Sequence, residues 1–305
     1  MISNRVIGFI GLGAMGLPMA RNLLRKGWTV LGVDPCARAR KDFIASGGRT
    51  YEQGQALPTD IDLFVIMARD VQQIDQILFQ DGFANPARQG AVVAICSTIA
   101  PDDMRRIGQR LANFGLVLVD APVSGGKIGA VKGVLTIMAA GAKDAYDAIE
   151  PALQAMGNPH YLAPEVGVGS TYKVVHQLAA GVHLAAVAEV LALGESAGCD
   201  LGLLLEILEQ SAGGSWMMQD RGPRMLSHPD VPTSTIDIFI KDLELVRQAG
   251  EQAGQELPLT KAALELFRRA QSQGYGRADD SFLIEVYRQG RSHLQREDPD
   301  KRSKG

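Results

Sequence analysis

Residues 6–34, VIGFIGLGAMGLPMARNLLRKGWTVLGVD, decide the fold of this chain. The short apolar run Val6 to Ile10 is typical of a buried strand, and the periodic stretch Leu17 to Arg25 is typical of a helix. Between them lie glycines at the G-x-G-x-x-G spacing, which permits a tight turn and the close approach of a pyrophosphate to the helix N-terminus. We therefore predict dinucleotide contacts at Gly11, Leu12, Gly13, Ala14, Met15 and Gly16.

The second strand, Thr29 to Val33, is followed directly by Asp34. An acid at this position accepts hydrogen bonds from both hydroxyls of the adenosine ribose and repels the 2′-phosphate of NADP. Asp34 therefore favours NAD over NADP. Arg38 and Arg40 follow closely and leave a pairing with that phosphate open, although exposed helix charges of this kind are more often simply solvated.

Composition limits the possible partners of the chain. Its 305 residues suffice for two domains, and its net charge of −3 favours neither nucleic acid nor an anionic membrane surface. The cysteines Cys36, Cys96 and Cys199 are widely spaced, as expected in a reducing cytoplasm. The cysteine spacing therefore predicts a cytoplasmic protein. No histidine or cysteine spacing is typical of a set of metal ligands, so we expect no metal site.

The segment Val174 to Leu193 is apolar enough to resemble a membrane span. It also contains His176, His183 and Glu189, which are costly in hydrocarbon. A helix that is apolar on most faces is more simply explained by burial between domains or subunits. We expect no membrane contact, and we expect a homo-oligomer, a dimer or a tetramer.

Strands alternate with helices in the first half, whereas strand patterns cease after about Pro164. This order predicts an α/β fold: a Rossmann-type doubly wound parallel sheet over 1–164, an all-helical domain over 165–290 and a charged flexible tail over 291–305. The further strands are expected at Ile61–Met67, Ala91–Cys96, Leu116–Val119, Leu135–Ala139 and Tyr161–Leu162. After a helix that starts after Pro101 and a loop at Ala121–Gly126, helices are expected at Ser170–Ala197, Leu201–Ser211, Thr235–Ala253, Pro258–Gln273 and Ser281–Gly290.

Lys173 is the leading candidate for catalysis, because GVGSTYK places it in the expected first turn of the long helix where the domains meet. A lysine that is removed from water beside a cofactor gives up its proton more easily and can act as a general base. Taken alone, the stretch fits a surface lysine better. Gln177, one turn later, and the adjacent His176 can face the same cleft or merely decorate an interface helix.

Polar groups also follow the expected strands, whose carboxyl ends form the ligand edge of such a sheet. Ser124, Gly125 and Gly126 can bind a carboxylate through backbone N–H groups, or form an ordinary turn. Ser97 and Thr98 can contact the nicotinamide end of the cofactor, or cap the next helix. Met67 ends another strand at this edge, and Lys241 can bring a second cation or lie on a solvated helix face.

The stretches GFIGLGAMGLPMARNL, STIAP, DAPVSGG, GVGSTYK and FIKDLEL, in this order over residues 5–290, resemble the β-hydroxyacid dehydrogenase family. That family includes 3-hydroxyisobutyrate dehydrogenase and tartronate semialdehyde reductase. The resemblance implies that Lys173 exchanges the substrate proton, Thr98 lies beside the nicotinamide and Lys241 completes the cleft on the substrate and cofactor side. It also implies that Ser124, Gly125 and Gly126 hold the substrate carboxylate.

One departure from the family pattern concerns the substrate. Most members have Asn-Asn where this chain has His176-Gln177, and the stretch HQLAAGVH is similar to the branch that oxidises L-threonate at carbon two. A polyhydroxy acid needs additional hydrogen-bonding groups, because unmatched polar groups are heavily penalised in a site. We therefore expect an NAD-dependent oxidation of L-threonate, with 3-hydroxyisobutyrate dehydrogenase or tartronate semialdehyde reductase activity as the alternative.

Two readings from other classes are weighed against this one. A non-catalytic dinucleotide-binding module shares the glycine-rich turn, but relatives of that kind lack the lysine that this chain has at position 173. An imine reductase shares both halves of the architecture and carries a different residue at that position. Lys173 favours a hydroxyacid dehydrogenase over both.

Overall fold

The computed structural model describes residues 6–289, so the expected charged tail 291–305 lies outside the described residues. The chain divides into two compact units after Val174. The domain limits expected at residues 164 and 290 stay predictions. The division falls inside one continuous helix, Val168–Ser196, which begins in the first unit and continues in the second.

The first unit is built on a mainly parallel sheet of nine strands. Its order is β3-β2-β1-β4-β5-β6-β8-β7, with β9 paired to β8. Strands β1 to β6 are parallel, whereas β8 runs antiparallel to β6 and β7. The strands are β1 Val6–Ile10, β2 Thr29–Val33, β3 Arg49–Tyr51, β4 Leu63–Ile66, β5 Val92–Ile95, β6 Val117–Asp120, β7 Val123–Ser124, β8 Leu135–Ala140 and β9 Gly157–Ala163.

Both faces of this sheet are covered, as parallel sheets require. In β4 the side chains of Leu63 and Val65 join one buried cluster, and those of Phe64 and Ile66 join the other. This alternation follows from the twofold period of a strand. The helices that cover the faces are α1 Gly16–Arg25, α2 Ala37–Ile44, α3 Val71–Asp75, α4 Pro101–Ala112, α5 Gly126–Lys132 and α6 Lys143–Met156. The predicted Rossmann-type fold is thus confirmed.

The prediction of a loop over Ala121–Gly126 is wrong. The chain continues past β6 into the short strand β7, and α5 begins at Gly126. β7 keeps the register of β6 along β8, since Asp120 pairs with Ala140 and Ser124 with Thr136. A strand of two residues is too short to show an alternating pattern, so its neighbours in the sheet, and not its sequence, define it.

The second unit is helical and continues α7, Val168–Ser196, with α8 Leu201–Glu209, α9 Trp216–Ser227, α10 Ile236–Gln252 and α11 Pro258–Ala270. Helix α9 was not expected, because Gly222 and Pro223 interrupt its pattern. The Ser215 hydroxyl caps it by accepting a bond from Met218 N at 3.1 Å. Gly222 suits the packing, since a Cβ there would lie 2.6 Å from Leu205.

A buried ion-pair cluster joins α9 to the segment after α11. The Arg221 guanidinium donates to both carboxylate oxygens of Asp280, at 2.7 and 3.0 Å, and Asp280 is fully buried. Arg224 pairs with Asp279, which also accepts from the Thr233 amide at 2.9 Å. Burial raises the pKa of Asp280, and the charge of Arg221 opposes that rise. Two hydrogen bonds pair Arg221 with Asp280, so removing one of these partners leaves an uncompensated buried charge.

Candidate active site

The glycines of the turn between β1 and α1 are required for two different reasons. Gly11 has a φ of +97°, and a Cβ there would lie 2.2 Å from the Met67 carbonyl oxygen. A Cβ on Gly16 would lie 1.9 Å from the Gly11 carbonyl oxygen. Protein contacts therefore require these two glycines. A Cβ on Gly13 meets nothing within 4 Å, so the absence of its side chain leaves space at the protein surface, where a ligand backbone can approach.

The N-terminus of α1 fits a phosphate group. The helix has no side-chain cap and no acidic residue in its first turn. Leu17 N donates to the Gly13 carbonyl at 3.0 Å and Pro18 has no N–H, so the attraction for an anion at this end comes mainly from the helix dipole. Ala14 is exposed and Met15 is half-buried, whereas the Leu12 side chain is buried in the core. Leu12 therefore contributes to the turn through its backbone alone.

Asp34 is positioned by this same turn. Its Oδ2 accepts a hydrogen bond from Leu12 N at 2.8 Å, and its Oδ1 accepts one from Cys36 N at 2.8 Å. The carboxylate is thus fixed at the carboxyl end of β2, with lone pairs remaining for ribose hydroxyls. Arg40 donates to the backbone carbonyls of Asp34 and Pro35, at 2.7 and 2.9 Å, which uses a terminal nitrogen that a phosphate would need.

The ends of β4 and β5 lie beside this turn in the sheet order. Met67 N donates to the Ile10 carbonyl at 2.8 Å. Ser97 is fully buried, and its hydroxyl accepts a bond from Ala68 N at 2.8 Å, so its role is to join the two strand ends. The alternative that Ser97 and Thr98 cap the next helix is wrong, because Ala100 stands at the N-cap of α4 and no side chain caps it.

Ser124, Gly125 and Gly126 lie farther out along the same edge. Because β7 keeps the register of β6, Ser124 stands beyond the carboxyl end of β6. Gly125 and Gly126 both have positive φ, +116° and +59°, a backbone that glycine adopts without strain. Gly126 is the first residue of α5, and no side chain caps this helix end. Carboxylate binding here stays a prediction.

The start of α7 is fixed by Asp120, which the sequence did not single out. Its Oδ2 accepts from Ser170 N at 2.7 Å and from Gly167 N at 3.1 Å, and its Oδ1 accepts from the Ser170 hydroxyl at 2.9 Å. Burial raises the pKa of Asp120 to about 6, although these hydrogen bonds favour the carboxylate. Gly169 is needed for this packing, since a Cβ there would lie 2.4 Å from the Met138 carbonyl oxygen.

Lys173 is 5 % exposed and therefore nearly removed from water. The helix starts earlier than expected, at Val168 and not at Ser170. Lys173 consequently lies in the second turn and not the first, where the helix dipole acts less strongly on its charge. As expected, Lys173 lies one helical turn before Gln177 on α7.

In the helical unit, α7 and α10 lie close enough for their polar side chains to form hydrogen bonds with each other. A Cβ on Gly181 would lie 2.6 Å from Leu243, so the glycine permits this approach. Gln177 Nε2 donates to Asp242 Oδ2 at 2.5 Å, and Gln177 Oε1 lies 3.0 Å from His176 Nδ1. Lys241 Nζ lies 2.8 Å from Asp242 Oδ1, as an ion pair that is not aligned as a hydrogen bond. The structure thus brings His176, Gln177 and Lys241 together around Asp242.

The described residues also bear on metal binding and on membrane insertion. Within 6–289, no group of three or more His, Cys, Asp or Glu side chains is arranged to hold a metal ion. Over the same residues, one helix, Val168–Ser196, is long and apolar enough by composition to cross a membrane. Core helices of soluble proteins can have the same length and composition. In this helix, 44 % of an apolar 18-residue stretch is buried inside the protein.

Comparisons with known proteins agree with this geometry. Residues 6–174 match the family model of the NAD-binding domain of 6-phosphogluconate dehydrogenase. Residues 167–287 match the model described as NAD-binding of NADP-dependent 3-hydroxyisobutyrate dehydrogenase. An L-threonate dehydrogenase of Haemophilus influenzae is 37 % identical over 287 residues, which cover 93 % of this chain and 95 % of the relative.

Other relatives act on other substrates. An NAD-dependent L-serine dehydrogenase of Pseudomonas aeruginosa is 32 % identical over 92 % of this chain and 97 % of its own length. A crystal structure of a 3-hydroxyisobutyrate dehydrogenase from Salmonella typhimurium has a TM-score of 0.87 at 36 % identity, covering 92 % of this chain and 99 % of the other. The chain therefore belongs to the β-hydroxyacid dehydrogenase family, as an NAD-binding enzyme that acts on CH–OH groups.

Proposed function

We propose that this enzyme oxidises a small polyhydroxy acid, L-threonate, at carbon two. The observation that carries the proposal is the pair His176-Gln177, which is held as one hydrogen-bonded unit on α7. Additional hydroxyl groups on a substrate need matched polar groups in the site, and this pair supplies a ring nitrogen and an amide. The relatives named L-threonate dehydrogenase support the same substrate.

The reaction divides into a hydride and a proton. Bound NAD would supply the acceptor for the hydride of carbon two. We assign the hydroxyl proton to the Lys173 amine, so that the carbonyl forms as both leave. A nearly buried amine suits this role because removal from water favours its neutral, basic form.

The remaining residues bind and orient. The turn from Gly11 to Gly16, together with Asp34, Met67 and Thr98, is assigned to the dinucleotide. Ser124, Gly125 and Gly126 are assigned to the substrate carboxylate, because the backbone N–H groups of a glycine-rich turn suit an anion. Lys241 is assigned the role of a second positive charge beside the substrate and the cofactor. Holding the reacting carbon near the nicotinamide turns an encounter of two molecules into a step within one complex.

Initial rates with a panel of acids test this proposal. We expect kcat/KM with NAD to be at least about 10²-fold higher for L-threonate than for 3-hydroxyisobutyrate, because the latter leaves polar groups of the site unmatched. D-Glycerate should fall between them. The same assay with NADP should be slower, since Asp34 repels the 2′-phosphate. Faster turnover of 3-hydroxyisobutyrate, or of D-glycerate as the product that tartronate semialdehyde reduction would form, would replace L-threonate by that alternative.

A homo-oligomer in the cytoplasm is part of the same proposal. Val175 and Leu193 on α7 are 66 % and 69 % exposed, and Leu203 on α8 is 55 % exposed. Apolar side chains on a largely apolar helix favour burial against a second copy of the chain. Only small-molecule substrate and cofactor are expected as further partners, with neither membrane nor nucleic acid.

A further inference from the structure

Asp242 lies at the centre of a polar chain in the helical unit. It is 4 % exposed, and each of its carboxylate oxygens faces a different group. Oδ1 lies 2.8 Å from the Lys241 ammonium, and Oδ2 accepts a bond from Gln177 at 2.5 Å. An ionised carboxylate can accept hydrogen bonds but cannot donate them.

This carboxylate determines the orientation of the Gln177 amide. An amide has a donor end and an acceptor end, and only the NH₂ end can face an ionised carboxylate at hydrogen-bond distance. The carbonyl end, Oε1, is therefore directed to the other neighbour, His176 Nδ1, at 3.0 Å. Because Gln177 is only 7 % exposed, water is a poor substitute for either partner.

The orientation of the amide in turn determines the tautomer of His176. A carbonyl oxygen can only accept, so Nδ1 must carry the proton of the neutral imidazole. The other ring nitrogen, Nε2, then keeps its lone pair and is an acceptor. His176 lies three positions after Lys173 on α7, where helical side chains are neighbours.

We propose that Asp242 is a positioning residue: through Gln177 it holds His176 in the Nδ1–H tautomer, so that Nε2 accepts a hydrogen bond from a hydroxyl group of the substrate. The ligand chemistry is that of a hydroxy acid with at least one hydroxyl besides the reacting one. This inference rests on the proposed function for the identity of the acid. Its structural part, the tautomer, is measured without any substrate.

The test compares wild-type enzyme with Asp242→Asn. The neutral amide at 242 can donate as well as accept, so it no longer dictates which end of Gln177 faces it. The matched control is Asp237→Asn, because Asp237 lies on the same helix and also accepts a glutamine amide, from Gln271 at 2.7 Å, on the protein surface. Nitrogen NMR of histidine-labelled full-length protein reports the tautomer, with the His176 signal assigned by its loss in His176→Gln.

We expect Nδ1–H for His176 in the wild type and in Asp237→Asn, and a mixture of tautomers in Asp242→Asn. In kinetics, Asp242→Asn should raise KM for L-threonate about two- to tenfold, the worth of one hydrogen bond, with a smaller change in kcat. KM for 3-hydroxyisobutyrate, which lacks the further hydroxyl, should move less. Asp242→Glu, which restores the carboxylate, should recover part of the loss.

An Nε2–H or doubly protonated His176 in the wild type would overturn the inference, and so would an unchanged tautomer in Asp242→Asn. Equal KM shifts for the two acids would show that Asp242 acts on the fold of the site and not through the imidazole. Failure of the proposed function has a separate sign, namely that wild-type enzyme with the expected tautomer forms no NADH from L-threonate.

Discussion

Replacing Lys173 by alanine should lower kcat about 10²–10⁴-fold, the usual contribution of a positioned general base. The hydroxyl proton would then have to pass to water, from which position 173 is largely shielded at 5 % exposure. NAD affinity should change little, because the dinucleotide contacts are assigned to the turn between β1 and α1. Steady-state kinetics and calorimetric titration of NAD measure the two effects separately.

Lys132→Ala is the matched control, since Lys132 is an exposed lysine of the same unit on α5. It should retain wild-type kcat. If the amine is the proton carrier, small primary amines added to Lys173→Ala should restore part of the activity. Near-normal turnover in Lys173→Ala would remove this lysine from the chemistry, and an equal loss of NAD binding would reassign it to the cofactor.

Replacing Arg221 by methionine should lower the free energy of unfolding by about 3–5 kcal/mol, because it leaves Asp280 charged and buried without its partner. Asp280 is fully buried and bonds Arg221 through both oxygens. Denaturant unfolding followed by tryptophan fluorescence measures the change. The chain has two tryptophans, so a Trp28→Phe background leaves Trp216, which begins the helix that carries Arg221, as the reporter.

Arg268→Met is the control, since Arg268 also pairs with a carboxylate, Glu244, but its side chain is 55 % exposed. An exposed pair contributes at most about 1 kcal/mol. The double variant Arg221→Met with Asp280→Leu should recover most of the lost stability, because the Asp280 charge is then no longer buried without Arg221. If Arg221→Met costs no more than Arg268→Met, the cluster does not hold α9 in place.

The architecture of the first unit was predictable because its strands are short apolar runs and its helices are periodic. The bounds of β1 and β2 agree with the sequence to the residue. Strand β7 was not predictable, since two residues cannot show a period. Helix α9 was missed for another reason: Gly222 and Pro223 weaken its propensity, while its cap at Ser215 and its packing on Leu205 stabilise it.

The candidate site likewise contains residues that could be predicted from the sequence and residues that could not. The glycine-rich turn and Asp34 were predictable because local spacing sets their contacts. Asp120 and Asp242 were not, because their partners lie far along the chain: Asp120 meets Ser170, and Asp242 meets Gln177. A carboxylate directly after a buried strand, and one within an otherwise apolar helix face, are the only sequence signals for them.

The central claim is that hydrogen leaves carbon two of a polyhydroxy acid as a hydride to NAD while a proton leaves its hydroxyl group. L-Threonate carrying deuterium at carbon two tests it directly, with mass spectrometry of the NADH formed by the wild-type enzyme. The account predicts that the deuterium appears in the reduced nicotinamide and that turnover is slower than with the ordinary acid. NADH without deuterium, or deuterium released to water, would contradict it.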